Sequence, residues 1–240
     1  MKGLIDTHFH LDMYKNHAEI FEYLNEKHIY TLAMTNSPGI YQACKQLYNK
    51  GKYVKFAMGF HPLNNELKAA DLAEFMYLLP TTNYVGEIGV DFSRNEGFPK
   101  DIQIMYFDKI VQQCTYMDKL MSVHIRKAED VAIDIIKKYE PSKCIIHWFT
   151  GNADQMERLI RCGCYFSING NMAIASSDLI NRIPRNRILV ESDGPFSKVN
   201  GERYRPELLI FEYEVIAHVL NEPELISIVY NNFFNLLLGK

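Results

Sequence analysis

The sequence predicts an α/β fold, a (β/α)8 TIM barrel that forms a single domain over residues 1–240. Three observations carry this prediction: eight short apolar segments, amphipathic segments between them, and a length of 240 residues. Strands that alternate with helices pair in parallel through crossover connections. Eight such units in a chain of this length fit a closed barrel better than an open sheet, and such a chain can still fold as one unit.

The eight strand candidates are short apolar runs bounded by polar or glycine residues. They cover residues 3–8, 30–35, 54–60, 84–89, 120–125, 143–149, 164–170 and 187–192. Most of the segments between them place apolar residues three or four apart with charged residues on the other face, which is typical of an amphipathic helix. These helix candidates cover residues 18–27, 40–50, 69–79, 102–119, 128–140 and 153–162.

The end of the chain departs from this alternation. Residues 197–206 are polar, include a glycine and follow the last predicted strand, so we expect a long loop there. Residues 207–220 and 224–238 again show helical spacing. We expect these two segments to form the closing helices of the domain.

Composition and charge limit the classes of function. Apolar residues make up 48% of the chain and charged residues 23%, which predicts a globular protein with a packed core. The net charge of −3 argues against coating nucleic acid through bulk positive charge, but it leaves room for a local basic or metal-lined cleft. The chain shows no signal-peptide pattern and no apolar run of about 18 residues, so we expect a cytoplasmic protein without a membrane partner. The five cysteines lack CxxC spacing and are expected to be reduced and structural.

The motif IDTHFHLD places two histidines, His8 and His10, at alternate positions of the first predicted strand. Side chains two apart in a strand point to the same face, so both imidazoles are expected to face the barrel interior. Further polar residues lie at the carboxyl ends of later strands, and these ends meet at one mouth of a parallel barrel. They are His61, Glu87, Asp91, His124, Arg126, His147 and Asp193.

Six of these side chains form a candidate ligand set for metal. They are His8, His10, Glu87, His124, His147 and Asp193. Imidazoles and carboxylates suit two divalent metal ions such as Mg²⁺, Mn²⁺ or Zn²⁺, and a pair of ions can activate water and stabilise both oxygens of a phosphodiester displacement. A single histidine at a strand end is more often an ordinary polar residue than a ligand. The hypothesis therefore depends on the convergence of all six, since buried carboxylates and imidazoles need a compensating charge.

Substrate contacts are the next hypothesis. Arg126 and Arg203 carry guanidinium groups that bind phosphate in a bidentate way, and His61 is placed with them as a substrate-binding residue. A solvated surface position is the alternative for Arg203. Trp148 follows His147 and would point away from it if the strand continued, so it is either a packing residue or, where the strand has ended, a surface that stacks on a base. Asp6 and Asp12 are assigned supporting roles for His8 and the following loop.

Six short segments follow one another along the chain: DTHFHLD, GFHP, VGEIGVD, HIR, HWFTG and VESDGPF. This is the order found in the TatD family of metal-dependent deoxyribonucleases, which the chain resembles from Asp6 to about Pro206. The resemblance implies a (β/α)8 barrel, a two-metal site and DNA hydrolysis, often from a 3′ end. It also implies that His8, His10 and Asp193 hold one ion, that His124 and His147 hold the other, and that Glu87 bridges them. On this basis Glu87 and Asp193 are the expected catalytic residues, with Asp193 orienting or deprotonating the attacking water.

The chain departs from the usual family pattern in several places, and two of these bear on its function. The common Arg-Asn-Glu-Pro of the loop after the last strand appears as Arg203, Tyr204, Arg205 and Pro206, which leaves the orientation of the substrate open. In its segments HWFTG and SDGPF and in its short length, the chain is most similar to QatD, the TatD-like component of the Qat anti-phage defence system. This likeness implies a role in antiviral defence and protein partners in a Qat-type complex. Two alternatives stay open: hydrolysis of another ester or amide substrate, and a complex subunit whose activity is weak or depends on partners.

Overall fold

The computed structural model describes residues 3–199 and 201–239, so Met1, Lys2 and Lys240 of the expected domain and Asn200 of the expected loop lie outside the described residues. Eight parallel strands form one sheet in chain order, which confirms the predicted fold class. These strands are β1 (Ile5–Phe9), β2 (Tyr30–Met34), β3 (Val54–Phe60), β4 (Tyr84–Asp91), β5 (Leu120–Arg126), β6 (Cys144–His147), β7 (Tyr165–Ile168) and β8 (Ile188–Val190).

The sheet curls until its first and last strands meet. The hydroxyl of Thr7 in β1 donates to the carbonyl oxygen of Val190 in β8 at 3.0 Å. Just beyond β8, the amide of Asp193 donates to the carbonyl oxygen of His8 at 2.9 Å. The amide of His10 donates to the carbonyl oxygen of Gly194, also at 2.9 Å. These bonds close the barrel at the end where the predicted ligands lie.

Helices cover the outside of the barrel. They are α1 (His17–Glu26), α2 (Pro38–Leu47), α3 (Ala69–Leu78), α4 (Lys100–Tyr116), α5 (Glu129–Tyr139), α6 (Ala153–Arg161), α7 (Gly170–Ala175), α8 (Ser177–Ile180), α9 (Leu209–Leu220) and α10 (Leu225–Leu237). Large buried rings such as Phe75, Phe107 and Phe233 fill the layer between helices and sheet. No helix within the described residues is both long and apolar enough to cross a membrane.

The structure differs from the sequence prediction in two connections. The link from β7 to β8 contains the short helices α7 and α8, whose six and four residues are too few to show a helical period in the sequence. The expected loop over residues 197–206 contains an antiparallel hairpin of β9 (Lys198–Val199) and β10 (Glu202–Arg203). Strands of two residues give no alternating pattern that sequence analysis can detect.

Glycine allows a close approach of neighbouring strands at the mouth of the barrel. A Cβ atom on Gly59 would lie 1.6 Å from the carbonyl oxygen of Thr35. A Cβ atom on Gly89, whose φ is +152°, would lie 1.9 Å from the carbonyl oxygen of His124. Any side chain at either position would therefore push apart the strands that carry the candidate site.

Candidate active site

The carboxyl ends of the strands surround a cavity of about 360 Å³, which we call the mouth cavity. Its walls include His10, His61, Glu87, His124, His147 and Asp193. His8 lies fully buried against this set, with its ring stacked on that of His147 at 3.7 Å between centroids. The structure thus brings all six predicted metal ligands together.

Four donor atoms form the first group: Nε2 of His8, Nε2 of His10, one oxygen of Glu87 and one oxygen of Asp193. The two nitrogens lie 3.2 Å apart. Oε2 of Glu87 lies 3.6 and 3.3 Å from the nitrogens of His8 and His10, and Oδ1 of Asp193 lies 3.8 and 3.5 Å from them. Ligand atoms around a tetrahedral ion with bonds of about 2.0–2.2 Å stand about 3.3–3.6 Å apart. His8, His10 and Asp193 therefore have the chemistry and spacing that fit one divalent ion, and Oε2 of Glu87 lies beside their nitrogens.

The second group gathers around the other oxygen of Glu87. Oε1 of this residue lies 2.9 Å from Nδ1 of His124 and 3.4 Å from Nε2 of His147. Glu87 is 4% exposed, so its carboxylate has little contact with water and faces two groups of nitrogen donors, one on each oxygen. Each oxygen of this carboxylate therefore faces its own pair of imidazole nitrogens.

Neighbouring side chains fix how the histidines face these groups. Oγ of Ser122 lies 2.9 Å from Nδ1 of His8. Nε2 of His124 donates to Asp91 at 2.9 Å. Such bonds on the far nitrogen set the tautomer and leave the near nitrogen free to bind a metal.

His147 is held in the same way by the residue that follows β8. Its Nδ1 donates to the carboxylate of Glu191, with distances of 3.2 and 3.1 Å to the two oxygens. The side-chain amide of Asn169 donates to the same carboxylate at 3.2 Å, so Glu191 is itself held in place. Glu191 is fully buried, and its position two residues before Asp193 is the sequence signal that could have revealed it.

His61 also approaches Glu87, with 3.5 Å between its Nε2 and Oε1. Its Nδ1 accepts a hydrogen bond from the amide of Leu63 at 3.2 Å. In the neutral ring this places the proton on Nε2, and a protonated nitrogen cannot bind a metal. Although its distances would also admit metal binding, the hydrogen bond favours His61 as a donor to Glu87 or to a substrate oxygen.

Asp6 holds the His8 backbone and the Ser192 segment together. One of its oxygens accepts from the amides of His8 at 3.2 Å and Ser192 at 3.0 Å, and the other accepts from the Ser192 hydroxyl at 2.6 Å. These bonds join β1 to the segment that leads to Asp193. The expected supporting role of Asp6 is confirmed, whereas one carboxyl oxygen of Asp12 is buried without a hydrogen-bond partner among the described residues.

The electrostatics of the site call for positive charge. Burial disfavours the ionised form of Glu87, but the facing His61 and hydrogen bonds from the other histidines outweigh it and hold its pKa well below the usual range. Burial likewise lowers the pKa of His10, yet its hydrogen bonds to Asp193 and Glu87 raise that pKa to about 10. Without a metal the carboxylates are thus balanced by protons on imidazole. Divalent ions would replace those protons, as metal binding to histidine generally does.

A family model described as TatD related DNase matches residues 5–238 of this chain. The chain belongs to this family. The match covers every strand of the barrel and every predicted ligand. It confirms the expected family, and the clustered donors support the use of divalent metal.

Individual relatives agree with this assignment to the TatD family. A protein of Enterocytozoon bieneusi, named as a deoxyribonuclease homologue, is 35% identical over 147 residues, which are 60% of this chain and 52% of that protein. The match thus spans about half of that relative. An uncharacterised metal-dependent hydrolase of Buchnera aphidicola is 26% identical over 96% of this chain and 97% of its own length. The crystal structure of a TatD homologue from Escherichia coli shares the fold, with a TM-score of 0.86 at 21% identity and 97% coverage of both chains.

The residues expected to contact substrate in this TatD-family chain lie in different places. Arg126 lines the mouth cavity and is exposed. Arg203 lies in the hairpin over the ring of Tyr14, 5.7 Å from its centroid, and is not among the residues that line the cavity. Trp148 lines the cavity because β6 ends at His147 and the next residue has a φ of 35°, which turns the chain out of the strand. The strand has therefore ended before Trp148, and its half-buried ring both packs against the hydrophobic core and lines the cavity, so stacking on a base stays a prediction.

Proposed function

We propose that this TatD-family chain hydrolyses phosphodiester bonds of DNA with two divalent ions, Mg²⁺, Mn²⁺ or Zn²⁺, and that residues 1–240 act as one hydrolase domain. The observation that carries the proposal is the carboxylate of Glu87, which directs one oxygen to His8 and His10 and the other to His124 and His147. A single ion would need only one of these two groups.

Each residue has a defined part in this proposal. His8, His10 and Asp193 would hold one ion, His124 and His147 the other, and Glu87 both. Bound divalent ions would lower the pKa of water and stabilise the charge of the phosphodiester. The carboxylate of Asp193 would orient the attacking water and accept its proton. His61 would donate from Nε2 to a phosphate oxygen, and Arg126 and Arg203 would bind further phosphates.

The test is a nuclease assay on single-stranded and double-stranded DNA, labelled at either end, with and without Mg²⁺ or Mn²⁺. We expect cleavage by the wild type only with metal, and at least about a 100-fold loss in Glu87→Ala and Asp193→Asn, because each removes a ligand that the site cannot replace. Glu214→Gln, an exposed carboxylate on α9, is the control and should keep full activity. Equal rates in all four proteins would refute the two-metal proposal.

Hydrolysis of another ester or of an amide is the second candidate function, since this fold serves many substrates. The open cavity of about 360 Å³ could hold a small molecule as well as one nucleotide. A panel of nucleic acids, tRNA esters and small amides, assayed with metal added, would separate the two candidates. Turnover of a small amide or ester without turnover of DNA would favour this second function.

We also propose that the chain serves in anti-phage defence as the nuclease of a Qat-type complex, acting in the cytoplasm on phage DNA. The support for this is the likeness of HWFTG and SDGPF to QatD. The simplest observation is whether genes for an ATPase and a QueC-like protein lie beside this one. Plaque assays with the intact gene set should then show protection that Asp193→Asn abolishes. Full protection by that variant would assign the chain a role in assembly instead of cleavage.

A further inference from the structure

A second groove, of about 460 Å³, opens beside the mouth cavity, and we call it the distal groove. Arg126 and Thr150 line both spaces, so the two are adjacent. Lys127, Glu129 and Gly151 also line the distal groove. It lies between the loops that follow β5 and β6, which are the strands that carry His124 and His147.

The cations of this groove are available to a ligand. Arg126 and Lys127 are both exposed, and within residues 3–199 and 201–239 no carboxylate forms an ion pair with either side chain. The carboxylate of Glu129 accepts a hydrogen bond from the backbone amide of Lys127 at 3.2 Å. The nearby carboxylate of Asp130 is paired with Arg158. The groove therefore offers two unpaired positive charges in a chain whose net charge is −3.

Backbone geometry keeps these two cations at the rim. β5 ends at Arg126, and Lys127 has a φ of 53°, a left-handed conformation that turns the chain sharply before α5 begins at Glu129. Consecutive basic residues on such a turn present their charges beside the cavity instead of along a helix. On the same side of the cavity, the ring of Trp148 stands at 89° to that of His147, with 6.5 Å between centroids.

We propose that the distal groove is an extended subsite for the DNA strand next to the scissile bond. Arg126 and Lys127 bind the backbone phosphates that follow the one in the mouth cavity, the hydroxyl of Thr150 donates to the same strand, and Trp148 stacks on the base at the border. Unpaired guanidinium and ammonium groups suit consecutive phosphates, and the part of the half-buried indole that lines the mouth cavity suits any base. The inference rests on the proposed DNA hydrolysis and adds to it a dependence of rate on strand length.

The experiment compares a dinucleotide with an octanucleotide of single-stranded DNA as substrates. We expect the wild type to have the higher kcat/KM on the octanucleotide. Lys127→Ala should lower this preference about fivefold through KM, and Trp148→Leu should do so at least as much. Lys137→Ala is the matched control, because it removes the same charge from the far end of α5, about 15 Å along the helix, and should keep the wild-type preference.

A binding measurement separates failure of this inference from failure of the proposed function. Fluorescence anisotropy of the octanucleotide in EDTA measures binding without turnover. The slope of the logarithm of the binding constant against the logarithm of the salt concentration should be smaller in magnitude by about 0.7 in Lys127→Ala than in Lys137→Ala. The same slope and the same length preference in both variants would overturn the proposal that the distal groove binds the DNA strand, and would leave the proposed DNA hydrolysis intact. A changed slope in a protein that cleaves no DNA would support the groove and refute the hydrolysis.

Discussion

Glu212 of α9 gives a prediction that needs no bound metal. Its side chain is 2% exposed, one carboxyl oxygen accepts a hydrogen bond from the amide of Gly170, and the other has no hydrogen-bond partner among the described residues. Burial raises its pKa from 4.5 to about 7, against the smaller opposing effect of the Gly170 bond, and the charge of Glu191 adds to the rise. The folded protein therefore holds this proton more tightly than the unfolded chain does.

The sign of the effect follows from this difference in proton binding. A raised pKa in the folded state stabilises the protein fully below pH 4.5, and the contribution is lost as the pH rises towards 7, because the unfolded chain releases the proton first. A pKa difference between 4.5 and about 7 corresponds to about 3 kcal/mol, at about 1.4 kcal/mol per pKa unit. Glu212→Gln replaces the carboxyl with an amide that does not titrate, so this variant should not show that loss.

The assay is urea unfolding in EDTA at several pH values between 4.5 and 8. The free energy of unfolding of Glu212→Gln, relative to wild type, should rise by about 3 kcal/mol across this range. Glu214→Gln, on the exposed side of the same helix, should run parallel to wild type. Parallel curves for wild type and Glu212→Gln would refute the reasoning, since they would mean that the buried carboxyl titrates alike in both states.

The remaining predictions concern the ligands and the barrel. Glu191→Gln should weaken divalent metal binding about 10–100-fold, because it loosens the hold on His147, and metal content after dialysis will show whether it does. EDTA should abolish DNA cleavage and excess Mn²⁺ should restore it; activity that survives full metal removal would contradict metal dependence. Gly59→Ala should lower the free energy of unfolding by at least about 3 kcal/mol, because the new Cβ atom meets the Thr35 backbone. Gly39→Ala is the control: no atom lies within 4 Å of its new Cβ atom, so the free energy of unfolding should change by less than about 1 kcal/mol. Similar melting temperatures for the two alanine variants would contradict the strand-contact argument.

Sequence alone determined the barrel and the place of its site. Apolar runs of strand length and the 3.6-residue period of the helices are local properties, so strands such as Val54–Phe60 and helices such as Ala69–Leu78 could be predicted almost to the residue. Alternation within a strand likewise placed His8 and His10 on one face. The position of each polar residue at a strand end was then enough to bring the six ligands to one mouth.

Only the tertiary structure decided how these residues face one another. Which oxygen of Glu87 serves which group depends on contacts between residues far apart in the chain. The same is true of Glu191, whose role exists only because β8 brings it to His147. The sequence left the turn at Trp148 open and missed the short helices after β7, because a break in a strand and a helix of one or two turns have no period to detect.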